Sequence, residues 1–295
     1  MENILNFIRG FCMALADSVP GVSGGTIAFL LGFYDKFITS LDHLIKGTKE
    51  ERIDAIIFLI KIGIGWVVGF ILAMLILGSI FEKHIYNISS LFLGFVVFAI
   101  PLIIIEEKAE FKGKYKNIIF AIIGLVLVIA ISSFSPAGGD SMNLAWGSFG
   151  MGTAIYVFIA AAIAISAMVL PGISGSTLLL IFGLYVPIVS AIKEFLHFDF
   201  SYFPILCVFG LGIIVGIITV IRLIKKALEK YRSQTLYLII GLMIGSLYAI
   251  VLGPTTLEVP QPALTLKSFS LIFFLIGGVV ILGLQKLKTI STKKD

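Results

Sequence analysis

Charged side chains are scarce in this chain: Asp, Glu, Lys and Arg make up 13% of it, while 59% is hydrophobic. A soluble domain carries about a quarter charged residues. The shortage excludes a soluble domain with one anchor and requires several helical spans, each of roughly 20 apolar residues for about 30 Å of hydrocarbon. Cysteine is nearly absent. Cys12 and Cys207 both fall in apolar segments, where a thiol behaves as a small hydrophobe, and no spacing fits a disulfide framework or a metal site. The short alternating segments of an outer-membrane barrel are also missing. Histidine is limited to His43, His84 and His197, all at expected span ends or loops. Ser23 sits in a Val-Ser-Gly-Gly setting that resembles intramembrane serine proteases, but a serine nucleophile needs a base within hydrogen-bond reach. Clustered Arg and His of a membrane phosphatase are lacking too. The expectation is a non-enzyme with no catalytic residue, cofactor or metal. The net charge of +5 follows the topology below and needs no nucleic acid to explain it.

What the chain does have is one motif written twice. Ala16-Asp17-Ser18-Val19-Pro20-Gly21-Val22-Ser23-Gly24-Gly25-Thr26 interrupts an apolar run, and Ala167-Met168-Val169-Leu170-Pro171-Gly172-Ile173-Ser174-Gly175-Ser176-Thr177 interrupts another. Proline removes a backbone donor and disfavours helix at the residue before it. Each motif reads as the tip of a re-entrant hairpin, with legs over about 4–16 and 26–41 in the first and 150–169 and 176–193 in the second. Non-helical backbone at membrane depth is tolerated only where protein or water covers it. Ala14-Leu15-Ala16 resembles a signal-peptide cleavage site, but the apolar core before it is short and Glu2 offsets Arg9, so the segment is read as retained.

The repeat extends past the tips. At an offset of 151, Ala16, Gly21, Ser23, Gly24, Thr26, Gly32 and Tyr34 meet Ala167, Gly172, Ser174, Gly175, Thr177, Gly183 and Tyr185. At 147, Gly63, Gly65, Gly69 and Gly94 meet Gly210, Gly212, Gly216 and Gly241. The expected fold is an all-α polytopic membrane protein of two repeats, 1–135 and 150–290, forming one membrane domain. Each is a hairpin plus three spans, at about 55–81, 88–105 and 117–134, then 202–224, 235–252 and 268–285. A hairpin returns the chain to the side it entered and three spans carry it across, so the second repeat is inverted. The basic residues agree: loops 42–54, 106–116, 225–234 and the C-terminus hold most of them, whereas 82–88, 135–149, 194–201 and 253–267 carry only Lys83 and Lys267. The positive-inside rule then puts both termini in the cytoplasm.

Inverted repeats with broken helices are an architecture of secondary transporters, with the site near the midplane. A helix starting at a Gly-Ser-Gly tip offers free N–H groups and a positive dipole end to an anion. The expected binding residues are Ser23, Gly24, Gly25, Thr26, Ser174, Gly175, Ser176 and Thr177, with Arg9 and Lys61 as charge partners. The copies differ: Asp17 and Ser18 face Met168 and Val169, Asp35 and Lys36 face Val186 and Pro187, and Gly25 faces Ser176. Asp17 is therefore the candidate proton or cation site, since an acidic residue at membrane depth is functional by default. A bland alternative exists for each. The motif can serve close helix packing, Asp17 can simply end a helix, and Arg9, Lys61 and Arg222 can snorkel. An anion channel or small-anion carrier uses the same helix-tip physics.

The paired motifs, Asp17 to Thr26 and Leu170 to Thr177, resemble the bacterial polyprenyl-phosphate (undecaprenyl-phosphate) transporter family, formerly a membrane family of unknown function. The resemblance covers nearly the whole chain. It implies a flippase that returns undecaprenyl phosphate to the inner leaflet of the bacterial cytoplasmic membrane, recycling the carrier lipid of cell-wall synthesis. The implied partners are a polyprenyl-phosphate lipid and the membrane; oligomeric state stays open.

Overall fold

A computed structural model describes residues 2–17, 23–133, 144, 145, 147–256 and 260–292. Pro20 and Gly21 of the first motif, and most of the loop expected at 135–149, lie outside the described residues. Among these residues twelve α-helices follow one another: α1 Glu2–Asp17, α2 Gly24–Leu30, α3 Tyr34–Lys46, α4 Lys49–Glu106, α5 Lys108–Phe111, α6 Ile118–Ser133, α7 Met151–Val169, α8 Gly175–Ile181, α9 Tyr185–Leu196, α10 Phe203–Lys230, α11 Arg232–Leu252 and α12 Leu271–Thr292. No strand occurs among the described residues. Among the described residues six stretches are long and apolar enough to cross a membrane: Lys49–Ala73, His84–Glu106, Tyr115–Ser133, Met151–Val169, Phe200–Lys230 and Arg232–Thr255. A shorter apolar stretch, Leu271–Gly283, opens α12. The chain is a multi-pass helical membrane protein.

Three local expectations change. The return legs, read as 26–41 and 176–193, are each split into a seven-residue helix and a longer one. Gly32 and Gly183 adopt φ of +66° and +65°, the left-handed conformation that glycine enters without steric cost. Around them, Phe33 donates its N–H to the Ala28 carbonyl and Leu184 to the Leu179 carbonyl. Both are the six-to-one bond of a Schellman stop, followed by a fully buried apolar residue, Phe33 or Leu184. Secondly, no loop separates the first two spans. Helical structure continues through 82–88, and the chain turns at His84, whose φ and ψ of −122° and 22° leave the helical region. Thirdly, α7, expected as a hairpin leg, has 19 residues and is long enough to span, whereas α1 has 16.

Close helix approaches recur in pairs. A methyl group at Gly65 would strike the Phe7 carbonyl, and one at Gly212 the Phe158 carbonyl. Gly69 packs on Phe11 and Ala14, Gly216 on Ala162 and Ile165. Gly94 abuts Phe274 and Gly241 abuts Ala121; Gly277 abuts Leu91 and Gly124 abuts Leu238. Small residues let helices approach closely in lipid, where water does not drive them together. Here they join α1 to α4, α7 to α10, α4 to α12 and α6 to α11.

Polar residues gather at the two ends. At one, Lys225 Nζ meets Asp42 Oδ2 at 2.6 Å and Arg232 bonds both Glu107 and Asp35. There too Asn117 donates to Ser233 and Ser233 to the Glu110 carbonyl. Three of the four basic segments expected to share a side, 42–54, 106–116 and 225–234, are thus joined at one end. At the other end, Tyr86 donates to the Pro262 carbonyl and the Ser270 N–H to Ser90 Oγ.

Candidate functional site

The first tip delivers the chain from α1 into α2. Ser23, in extended conformation (φ −129°, ψ 135°), is the N-cap of α2, and its Oγ accepts the Gly25 N–H at 3.1 Å. Such a cap satisfies one of the donors that a helix start leaves open. A second donor, the Gly24 N–H, goes to Asp17 Oδ1 at 2.7 Å. The other carboxylate oxygen, Oδ2, accepts the Trp66 indole N–H at 2.9 Å. Asp17 thus fixes the end of α1 to the start of α2 and to α4. Of the donors expected to be free for an anion, two are held by the chain's own Ser23 and Asp17.

The second tip packs directly on the first. Ser23 Oγ lies 3.2 Å from the Met168 carbonyl and 3.4 Å from that of Leu170. Thr26 Oγ1 accepts the Gly172 N–H at 2.7 Å. Tyr34 donates its hydroxyl to the Val169 carbonyl at 3.1 Å. Gly172 has φ +92° and lies against the Leu242 backbone, so a side chain there meets both backbone strain and a wall. A methyl group at Gly25 would come within 2.8 Å of the Val169 carbonyl oxygen. Ser23 and Thr26 are each 1% exposed, Tyr34 2% and Ser174 6%. Gly175 begins α8 beside Met168, as Gly24 begins α2 beside Asp17. The side chains of Ser176 and Thr177 lie outside the described portion.

Of the expected charge partners, Arg9 is half-buried on α1, bonds Asn6 Oδ1 at 2.8 Å and lies 5.0 Å from the Phe33 ring centre. It therefore sits against the turn that closes α2. Lys61 is half-buried on α4. Five residues of helix separate it from Trp66, about 140° around the axis, so it leaves α4 on a different side from the indole that holds Asp17. No hydrogen bond links it to either tip among the described residues. The structure brings Asp17, Ser23, Gly24, Gly25, Thr26, Gly172 and Gly175 together, and leaves Lys61 apart. Two members of this centre, Tyr34 and Trp66, were not anticipated. The match of Tyr34 with Tyr185 was the signal for the first; nothing local marks the second.

Another face of α4, turned away from Trp66, is apolar and exposed. A groove of about 600 Å³ opens sideways between Leu44 of α3 and Ile56, Ile60, Gly63, Ile64 and Val67 of α4. No group of three His, Cys, Asp or Glu side chains placed to hold a metal occurs among the described residues.

Buried hydroxyls where two helix breaks meet, in a chain with several helices long and apolar enough to span, define a polytopic membrane protein whose two helix tips share a polar contact. More particularly, the chain belongs to the undecaprenyl phosphate translocase-like family, whose model matches residues 13–268. It is 35% identical over 292 residues to a polyprenyl-phosphate transporter of Staphylococcus aureus, covering 96% of each chain. It is 31% identical over 259 residues to a polyprenyl-phosphate transporter of Vibrio cholerae, covering 84% of this chain and 77% of that one. No solved structure matches.

Proposed function

We propose that this protein transports polyprenyl phosphate, as its relatives' names state of them, and that it returns undecaprenyl phosphate to the cytoplasmic leaflet for reuse in cell-wall synthesis. The observation that carries this reading is the meeting of the two tips at Ser23, Thr26 and Gly172. A phosphate crossing hydrocarbon needs replacement for its lost water, and hydroxyl and backbone donors gathered from two helix breaks supply it. Seven-residue helices bring small dipoles, so the donors count for more than the helix field. The binding set is Ser23, Gly24, Gly25, Thr26, Ser174, Gly175, Ser176 and Thr177. Arg9 is favoured over Lys61 as the charge partner because of its place against the α2 turn. The prenyl tail stays in lipid along the apolar groove of α4.

The paired glycine contacts support two repeats related by duplication. The proposal takes them as inverted, each with a re-entrant hairpin, both termini cytoplasmic, and rocking about the tips as the means of alternating access. No chemical step is proposed. The test is reconstitution. Purified protein in vesicles moves undecaprenyl phosphate between leaflets and leaves undecaprenol and inorganic phosphate where they are. Movement of inorganic phosphate with the lipid left in place would favour a small-anion carrier instead.

A further inference from the structure

We propose that the contact between the two tips is a gate that the headgroup must open, and that Tyr34 is its positioning residue. The inference rests on the transport reading above. Three side chains of the first half, Ser23, Thr26 and Tyr34, engage the backbone of residues 168–172. All three are at most 2% exposed. The pattern has a chemical direction. Ser23 and Tyr34 give their protons to carbonyl oxygens, and the Gly172 N–H is given to Thr26. A phosphate oxygen is an acceptor. It competes for those same protons and is repelled by the carbonyls of Met168, Val169 and Leu170 that now hold them.

The headgroup therefore cannot add to this arrangement; it has to exchange with it. Tip-to-tip hydrogen bonds are traded for tip-to-phosphate ones. Carbonyls released at membrane depth must be satisfied by another donor, and water entering with the headgroup is that donor. Opening the gate hydrates the site. Tyr34 is separable from the rest because its ring is held independently. It packs edge-on to Phe29 with ring centres 5.6 Å apart, so Tyr34→Phe deletes one hydrogen bond and leaves the packing in place.

The experiment reads water access at the second tip. Val169, 8% exposed, is replaced by cysteine in a Cys12→Ala, Cys207→Ala background, and the protein in nanodiscs is labelled with a water-soluble maleimide. Labelling is slow without ligand. It rises at least five-fold with farnesyl phosphate and does not change with farnesol. Tyr34→Phe raises it without any ligand, as does Thr26→Val, whereas Thr26→Ser keeps it slow. Tyr156→Phe is the control, because that hydroxyl donates to the Phe182 carbonyl, outside the contact, and its rate stays at the starting value. Unchanged labelling in both Tyr34→Phe and Thr26→Val overturns the gate. Farnesyl phosphate bound without faster labelling also overturns it, while leaving the transport reading standing. Failure of the transport reading is seen separately, as no farnesyl phosphate binding by the parent protein.

Discussion

The two tips share a sequence plan and differ in how they satisfy it. At the first, Asp17 lies over the start of α2, taking the Gly24 N–H with one oxygen and the Trp66 indole with the other. At the second, the matching position is Met168, whose Cβ lies 3.1 Å from where a side chain at Gly175 would begin. The first tip carries its own carboxyl group and the second does not. One half is thus braced internally, and on the proposed reading a phosphate shared by the two tips meets no acidic side chain at the position of Met168. The largest effect should come from erasing this difference. Met168→Asp gives Gly175 the partner that Gly24 has. A phosphate arriving there meets a like charge at about 4 Å, worth about 4 kcal/mol at the effective dielectric of a partly polar site, and binding of undecaprenyl phosphate falls by roughly several hundredfold. Met168→Leu, which adds no charge, leaves binding near the parent value. Unchanged binding in the aspartate variant would remove the headgroup from the second tip.

The opposite change tests the brace. In Asp17→Asn the amide oxygen can still accept the Gly24 N–H, but its NH₂ then faces the Trp66 indole N–H, donor against donor. A buried donor left without an acceptor costs about 1–3 kcal/mol, read as a lower unfolding midpoint in detergent. Trp66→Phe removes the opposing donor and keeps a ring beside Phe70, so the double variant is less destabilised than the sum of the two singles. Strict additivity would mean that the carboxylate and the indole do not act together. The same pair of variants separates bracing from ion coupling. If Asp17 also carries the coupling ion, Asp17→Asn flattens the pH dependence of transport and Trp66→Phe does not.

How much of this was legible beforehand depends on the range of the interaction. Apolar runs, the Pro-Gly breaks and the Gly matches at fixed offsets are local or periodic signals, and they located the long apolar helices but not all of their ends. The stops at Gly32 and Gly183 were present as matched glycines, but their left-handed conformation was not assigned, and each return leg was drawn too long. The polar triad Glu82-Lys83-His84 marked the turn in α4, but the form of the turn, a single non-helical residue, depends on packing. The tip-to-tip bonds join residues 135 to 147 positions apart, and no pattern within one tip says which hydroxyl meets which carbonyl. Trp66 reaches Asp17 across 49 positions for the same reason.

Asp35 gives the smallest effect and the sharpest check on whether the asymmetry matters outside the tips. Like Asp17 it is an acid of the first half without an acidic counterpart, since Val186 stands at the matching position. Unlike Asp17 it is exposed: its side chain is 54% accessible and meets Arg232 at 3.1 Å. Arg232 keeps a second, less exposed partner in Glu107. Exposed ion pairs contribute about 0–1 kcal/mol and are screened by salt. Asp35→Asn should therefore lower stability by less than about 1 kcal/mol, with the difference shrinking further in high salt, and leave undecaprenyl phosphate transport unaltered. A transport defect in Asp35→Asn as large as that of Met168→Asp would mean that the first half's acids act as a set, and that the charge difference between the tips is only one part of a longer-range asymmetry.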